Sequence, residues 1–164
     1  MRYFMGIDVG TNETKAVLID EKCEIVAFAS CGHDLLNPQP GFFEHDAEKT
    51  WWGDFCHLSR QLLAESGVDA KYVGCVGLSA LGCDCVPVDA EGTALCNAIL
   101  YGVDSRSHKE IEWLYAYYGK EEAERLYGHE LCSSDIAPKI LWVKNNLPDV
   151  YAKTAKFLTG SSYL

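Results

Sequence analysis

A short run near the start of the chain holds residue types that could do chemistry. Asp8 ends an apolar segment, and Gly10, Thr11 and Asn12 follow it before a second apolar segment starts at Lys15. An acid in this position can face a metal cation directly or through water. Glycine lets backbone N–H groups approach phosphate oxygens, and a threonine hydroxyl can donate a further hydrogen bond. The run predicts a turn for a metal-bound phosphate, although an ordinary polar hairpin turn explains the same residues.

The segments around this turn have the composition of strands. Residues 3–9 and 15–19 are rich in β-branched and aromatic residues, and residues 24–30 form a third such segment after a short polar link. Three consecutive strands with short links predict an antiparallel meander.

A helix and a further strand are predicted beyond a loop with two prolines and a glycine, over residues 32–44. Asp46 is typical of a helix N-cap, and apolar residues recur at helical spacing until about Gly67. We expect the aromatic residues of this helix to pack in the core. Residues 71–79 predict a buried strand. A helix between two strands is typical of parallel pairing, so a mixed sheet is expected.

The second half of the chain is predicted to be mainly helical. A short strand is indicated at residues 83–88 and a short apolar stretch at 98–102. Helices are indicated at 107–118, 121–127, 136–146 and from Pro148 onward.

Composition narrows the class of protein. A chain of 164 residues with 48% hydrophobic residues is enough for one compact domain. Its net charge of −10 argues against nucleic-acid binding, because nothing would offset repulsion by the phosphates. The sequence has no basic-then-apolar leader and no apolar run of about 18 residues, so a cytoplasmic location without a membrane partner is expected.

Eight cysteines are expected to be reduced and mostly buried, because no leader directs the chain to an oxidising compartment. The close pair Cys83 and Cys85 lacks the second Cys or His pair of a structural zinc site, and no zinc is expected.

Five segments in order resemble the N-terminal part of the FGGY carbohydrate kinases, the family of xylulokinase, gluconokinase and glycerol kinase. They are the run at 6–15, the stretch GFFEHDAEKTWW at 41–52, the strand at 76–79, AILYGVDSR at 98–106, and the helix at 137–144 followed by PDVY. The resemblance extends over nearly the whole chain.

The resemblance implies an α/β fold of the ribonuclease-H-like type, shared with actin and hexokinase. Residues 1–164 would be an incomplete N-terminal domain, since the sequence stops as a new apolar element begins. The ATP-binding C-terminal lobe and the aspartate that acts as general base would lie beyond it, so the piece alone is expected to be inactive. ATP and Mg²⁺ are the implied cofactors, and a homodimer is left open.

The resemblance also assigns roles at the opening turn. Asp8 would hold Mg²⁺ through water, while Gly10, Thr11 and Asn12 would contact phosphate. Lys15 would steady the developing charge, or would equally be a solvated lysine on a strand.

Sugar contacts are implied in two later segments, at Leu81, Gly82, Cys83 and Asp84 and at Tyr101, Asp104 and Arg106. The two carboxylates would bind sugar hydroxyls. Asp104 and Arg106 could equally form an internal ion pair that fixes their loop. Residues 79–85 carry neither the G-Q-M-H-G of xylulokinases nor the Arg-Glu pair of glycerol kinases. Tyr101 stands in place of the usual Trp, with one extra residue before the acid, so the acceptor is left open.

Two alternatives remain beside a sugar kinase, because fold alone does not settle function. One is a non-catalytic sugar-binding sensor or scaffold built on the same lobe. The other is an actin-like ATPase, in which the segments at 41–52 and 98–106 would have no role.

Overall fold

Three antiparallel strands open the fold in a computed structural model, which describes residues 2–164. They are β1 (Tyr3–Val9), β2 (Glu13–Asp20) and β3 (Ile25–Gly32). Strand β1 also pairs in parallel with β5 (Val73–Ala80), which gives the sheet order β3-β2-β1-β5. The predicted meander and mixed sheet are confirmed.

The two faces of this sheet differ because side chains alternate along a strand. Met5, Ile7 and Val9 of β1 are buried in the main core. Asp8 lies on the opposite face, and the strand register places it directly across from Lys15 of β2. The side chains of these two residues therefore share the uncovered face.

The helix after Asp46 is confirmed, but its start is different from a regular helix. The Asp46 carboxylate accepts the backbone N–H of Lys49 at 3.0 Å, and a π-helical turn (Ala47–Trp52) precedes α1 (Gly53–Ser66). Gly67 ends α1 with a left-handed φ of 66°. The helix packs over β2 and β3. Of the aromatic residues, Trp51 is fully buried in the core as expected, whereas Trp52 is 46% exposed.

The burial predicted for the strand at residues 71–79 is wrong. A 3₁₀ turn (Ala70–Tyr72) comes first, and residues 74–79 of β5 are all exposed. Strand β5 is the last strand of the described sheet, and α1 covers β2 and β3 instead. The sequence of this segment indicates a strand, but it does not show whether another element packs over the strand and buries it.

Smaller elements complete the structure around this sheet. Strand β4 (Glu44–His45) pairs with β7 (Ala98–Ile99), and β6 (Val86–Val88) pairs with β8 (Lys156–Leu158), both antiparallel. The helices are α2 (His108–Tyr118), α3 (Lys120–Tyr127), α4 (Ile136–Asn146), α5 (Pro148–Lys153) and α6 (Gly160–Tyr163).

The expectation of mostly buried cysteines is wrong. Only Cys85 is buried, and Cys23, Cys75, Cys83 and Cys132 are exposed. They lie on a hairpin turn, on the uncovered strand β5 and in loops, where no core element covers them. Within residues 2–164 no cysteine forms a disulfide. No helix in the described part of the chain combines the length and the apolar character that crossing a membrane requires.

Candidate active site

The turn between β1 and β2 offers two backbone donors to solvent. The N–H of Gly10 donates to the carbonyl of Glu13 at 3.0 Å and closes the turn. A Cβ on Gly10 would stand 2.9 Å from that same oxygen, so a larger residue would force the turn apart. The N–H groups of Thr11 and Asn12 donate to no group within residues 2–164. The turn therefore presents two free N–H groups side by side, as an anion site requires.

Asp8 lies on β1, the strand that leads into this turn, two residues before Gly10. It is exposed, and it makes no hydrogen bond or ion pair with any residue the structure describes. Lys15, across the strand pair, instead places its Nζ 3.3 Å from Oε2 of Glu13. A free carboxylate on the strand before the predicted phosphate-binding turn (residues 10–12, called the phosphate turn below) fits Mg²⁺, which is commonly held by one or two carboxylates together with phosphate oxygens and water. Among residues 2–164 there is no cluster of three or more His, Cys, Asp or Glu side chains that could hold a metal by itself.

Two histidines for which the sequence predicts no role lie directly behind the turn. His33 Nε2 lies 3.1 Å from the carbonyl oxygen of Gly10, and His45 Nε2 lies 3.0 Å from that of Thr11. His33 also contacts Asp54, with 2.8 Å between Nδ1 and Oδ2. Thr14 donates its hydroxyl to the same Asp54 oxygen at 2.7 Å. His45 belongs to the stretch at 41–52, but no local spacing indicates that these side chains meet.

The first predicted sugar segment adjoins the phosphate turn. The N–H of Leu81 donates to the carbonyl of Val9 at 3.2 Å, which ties the segment to the end of β1. Leu81 is half-buried, while Gly82 and Cys83 are exposed. Asp84 is fully buried and accepts the backbone N–H of Tyr101 at 2.8 Å. This hydrogen bond joins the two predicted sugar segments to each other.

Lys139 binds the backbone of the first predicted sugar segment (residues 81–84) from inside the protein. It is a fully buried lysine of α4, and its Nζ donates to the carbonyl of Cys83 at 2.7 Å. Burial lowers the pKa of Lys139, while the carboxylate of Asp84 opposes that shift. Burial also raises the pKa of Asp84 to about 6, against the opposing effects of the Tyr101 N–H and the lysine charge. Asp84 Oδ2 has no hydrogen-bond partner among residues 2–164.

The raised pKa of Asp84 predicts a specific pH dependence of folding. Because its pKa is about 6 in the folded protein and near 3.8 in the unfolded chain, the folded state binds more protons between these values. Its contribution to stability is full below pH 4 and is lost as the pH rises through 6. When the pH rises from 4 to 7, we expect the free energy of unfolding of the native chain to fall more than that of Asp84→Asn. The difference between the two falls is on the order of 2 kcal/mol. Urea unfolding at both pH values measures this.

Asp149→Asn, at an exposed acid of α5, is the matched control and is expected to keep the native pH dependence. If the free energy of unfolding of the native chain and of Asp84→Asn changed in parallel with pH, the raised pKa of Asp84 would be contradicted.

The second predicted sugar segment is held by a buried ion pair. Both carboxylate oxygens of Asp104 lie within 3.0 Å of the Nε of Arg106, and Oδ2 also accepts the N–H of Phe43 at 2.7 Å. Nη2 of Arg106 lies 2.8 Å from Asp104 and 2.9 Å from Oε1 of Glu44. The internal ion pair left open by the sequence is therefore present.

Aromatic rings cover the guanidinium of Arg106 as well. Its central carbon lies 4.3 Å from the ring centre of Phe42 and 4.9 Å from that of Trp142. The side chain of Arg106 is 3% exposed. Tyr101, by contrast, is 44% exposed. Exposed groups in the two sugar segments are thus Gly82, Cys83 and Tyr101, and direct sugar contact by any predicted residue stays a prediction.

The chain is similar in sequence to known carbohydrate kinases. A sequence model described as the N-terminal domain of the FGGY family of carbohydrate kinases matches residues 3–164. The chain is 27% identical over its full length to the xylulose kinase of Bacillus subtilis strain 168, and 30% identical over 99% of its length to glycerol kinase 1 of Saccharolobus solfataricus. It spans only 32% of each of these curated relatives.

Solved structures show the same fold. The xylulose kinase of Rhodospirillum rubrum superimposes with a TM-score of 0.88 at 24% identity, over 99% of this chain and 33% of that one. The glycerol kinase of Plasmodium falciparum, solved with ADP, gives a TM-score of 0.86 at 24% identity over the same shares. The ribonuclease-H-like fold inferred from the sequence is confirmed. On the match over residues 3–164, the chain belongs to the FGGY family of carbohydrate kinases.

Proposed function

We propose that the complete protein transfers the terminal phosphoryl group of ATP to a hydroxyl group of a sugar or polyol. One observation carries this proposal: the exposed Asp8 carboxylate has no partner within residues 2–164, and the turn that follows its strand has N–H groups at Thr11 and Asn12 that donate to no group in the same range. The chain belongs to a family of carbohydrate kinases, and two of its relatives are named for kinase activity on xylulose and glycerol.

Phosphoryl transfer depends mainly on positioning and on stabilisation of charge, and the residues of the turn suit both tasks. Thr11 and Asn12 would donate their N–H groups to oxygens of the transferred phosphoryl group. Asp8 would hold Mg²⁺ through water, and the bound ion would neutralise phosphate charge. Lys15 lies on the same face as Asp8, from where its ammonium group could approach the phosphate after leaving Glu13.

We further propose that residues 1–164 form only part of the N-terminal domain and are inactive alone. The curated relatives are about three times as long, since the chain spans 32% of each. The uncovered face of the sheet supports contact with a further part of the protein, because Phe28 on it is 57% exposed. The general base and most of the ATP site would lie in that further part, and the location would be cytoplasmic.

The acceptor would lie against the two sugar segments, next to the phosphate turn. The hydrogen bonds from Leu81 to Val9 and from Tyr101 to Asp84 support this placement, because they hold both segments close to the end of β1. We propose a small neutral polyol, which exposed polar groups at Tyr101 and Cys83 could face.

The test is a phosphoryl-transfer assay of the complete protein with Mg-ATP and a panel of acceptors that includes xylulose, glycerol and gluconate. We expect turnover on at least one polyol. A non-catalytic sensor remains the second candidate, because Leu81, Gly82 and Cys83 depart from the acceptor motifs of xylulokinases and glycerol kinases. Sugar binding without turnover on any acceptor would favour the sensor and overturn the kinase.

A further inference from the structure

All three carbonyl groups of the phosphate turn point into the protein, and His33 and His45 bind every one of them. Nε2 of His33 lies 3.1 Å from the oxygen of Gly10, and its backbone N–H donates to the oxygen of Asn12 at 3.0 Å. Nε2 of His45 lies 3.0 Å from the oxygen of Thr11. The two histidines thus hold the whole turn from behind.

These carbonyl contacts determine where the free N–H groups point. In a trans peptide the C=O of one residue and the N–H of the next lie in the same plane and point in opposite directions. A Gly10 carbonyl that points inward therefore directs the Thr11 N–H outward, and an inward Thr11 carbonyl directs the Asn12 N–H outward. If either peptide flipped, a carbonyl oxygen would face the phosphate and repel it.

The protonation of His45 is fixed by its buried partner. The indole N–H of Trp51 can only donate, and it donates to Nδ1 of His45 at 3.0 Å. The ring proton must then sit on Nε2, where it donates to Thr11. His45 is fully buried, and burial together with the nearby His33 lowers the pKa of His45 to about 4. The ring therefore stays neutral, with one tautomer, near neutral pH.

His33 has acceptors at both ring nitrogens. Nδ1 lies 2.8 Å from Oδ2 of Asp54, and Nε2 faces the Gly10 carbonyl. Both of these partners are hydrogen-bond acceptors, so His33 contacts the turn through one ring nitrogen and Asp54 through the other. The Thr14 hydroxyl donates to the same oxygen of Asp54. The His33 side chain is 6% exposed, which keeps this pairing away from water.

We propose that His33 and His45 are positioning residues that set the peptide orientation of the phosphate turn and so prepare its N–H groups for the phosphoryl group. This inference rests on the proposed kinase function and concerns how its site is organised. Neither residue touches the substrate, and their effect passes through the carbonyls of Gly10 and Thr11.

The test compares two amides of different length at position 45 in the complete protein. Glutamine can accept from Trp51 and still reach the Thr11 carbonyl, whereas asparagine can accept from Trp51 but is too short to reach Thr11. We expect His45→Asn to weaken Mg-ATP binding and to lower kcat, each by at least about tenfold, and His45→Gln to stay within about threefold of the native protein. The KM for the sugar is expected to stay within about twofold in both. A loss of folded protein would lower the apparent kcat but leave the affinity for Mg-ATP unchanged, so the weaker Mg-ATP binding separates the two causes.

A second variant addresses the other carbonyl and remains available if His45→Asn fails to fold. His33→Asn can keep the contact with Asp54 but cannot reach Gly10, and the same loss is expected. His57→Asn, at an exposed histidine of α1, is the matched control without effect.

The outcomes separate this inference from the proposed function. If His45→Asn and His33→Asn both keep the turnover of the native protein, only the positioning role is overturned. If the native protein transfers no phosphoryl group, weaker Mg-ATP binding in His45→Asn than in His45→Gln still supports the positioning role of His45. A native protein that binds no Mg-ATP would overturn both.

Discussion

Replacing Asp8 by alanine in the complete protein is expected to lower kcat for phosphoryl transfer by about a thousandfold or more. The carboxylate is exposed and unpaired among the described residues, so its loss leaves no buried partner unsatisfied and the fold should be retained. What is lost is the group that would hold Mg²⁺ beside the N–H groups of Thr11 and Asn12. Steady-state kinetics with Mg-ATP and the preferred acceptor measure the effect.

Two comparisons make the Asp8 experiment specific. Sugar binding, followed by calorimetry, is expected to be unchanged in Asp8→Ala, because the sugar segments lie on other loops. Glu21→Gln, at an exposed acid in the β2–β3 turn at the opposite end of the sheet, should have native kcat. Near-native turnover in Asp8→Ala would exclude the assigned role.

Replacing Arg106 by methionine is expected to lower the free energy of unfolding of the 164-residue chain by about 3–5 kcal/mol. Methionine keeps much of the packing between Phe42 and Trp142 but leaves two carboxylates without their cation. The Asp104 side chain is 1% exposed, so its charge would lose its ion pair where water cannot replace it. Urea unfolding at neutral pH measures the change.

Arg125→Met is the matched control for this experiment. Arg125 also makes an ion pair, with 2.7 Å to Glu122, but its side chain is 68% exposed. Exposed pairs of this kind contribute about 0–1 kcal/mol, so the control should be nearly native. Equal effects of the two substitutions would mean that the buried pair does not stabilise the loop. A large effect at Arg106 would assign Asp104 mainly to loop structure.

The local parts of the fold could be predicted from the sequence. The hairpin from β1 to β2 has alternating residues around a glycine-containing turn. The helical segment at 47–66 has Asp46 as the cap at one end and Gly67 at the other. These signals act over a few residues, so the chain itself carries them. The burial of β5 could not be predicted in the same way, because burial depends on which other elements cover a strand.

The candidate site shows the same limit. Asp8, Thr11 and Asn12 are neighbours in sequence, so local spacing alone predicts them as one site. Their support was missed because its members come from distant parts of the chain: Thr14 and Asp54 are 40 residues apart, and His45 lies 34 residues from Thr11. No periodicity connects such residues, and only the fold brings them into contact.

Charged pairs divide in the same way between local and distant partners. Asp104 and Arg106 are two residues apart, and the sequence already allowed an ion pair between them. Glu44, which completes the pairing of Arg106, comes from the β4 segment some sixty residues earlier and carried no such signal. The same holds for Lys139, whose contact with Cys83 joins α4 to the first sugar segment.

The most direct measurement of the central claim is a crystal structure of the complete protein with Mg²⁺ and a non-hydrolysable ATP analogue. The terminal phosphate oxygens are expected within about 3 Å of the N–H groups of Thr11 and Asn12. The metal ion should lie one water away from the carboxylate of Asp8. An analogue whose terminal phosphate binds elsewhere, with both N–H groups still facing solvent, would contradict the account.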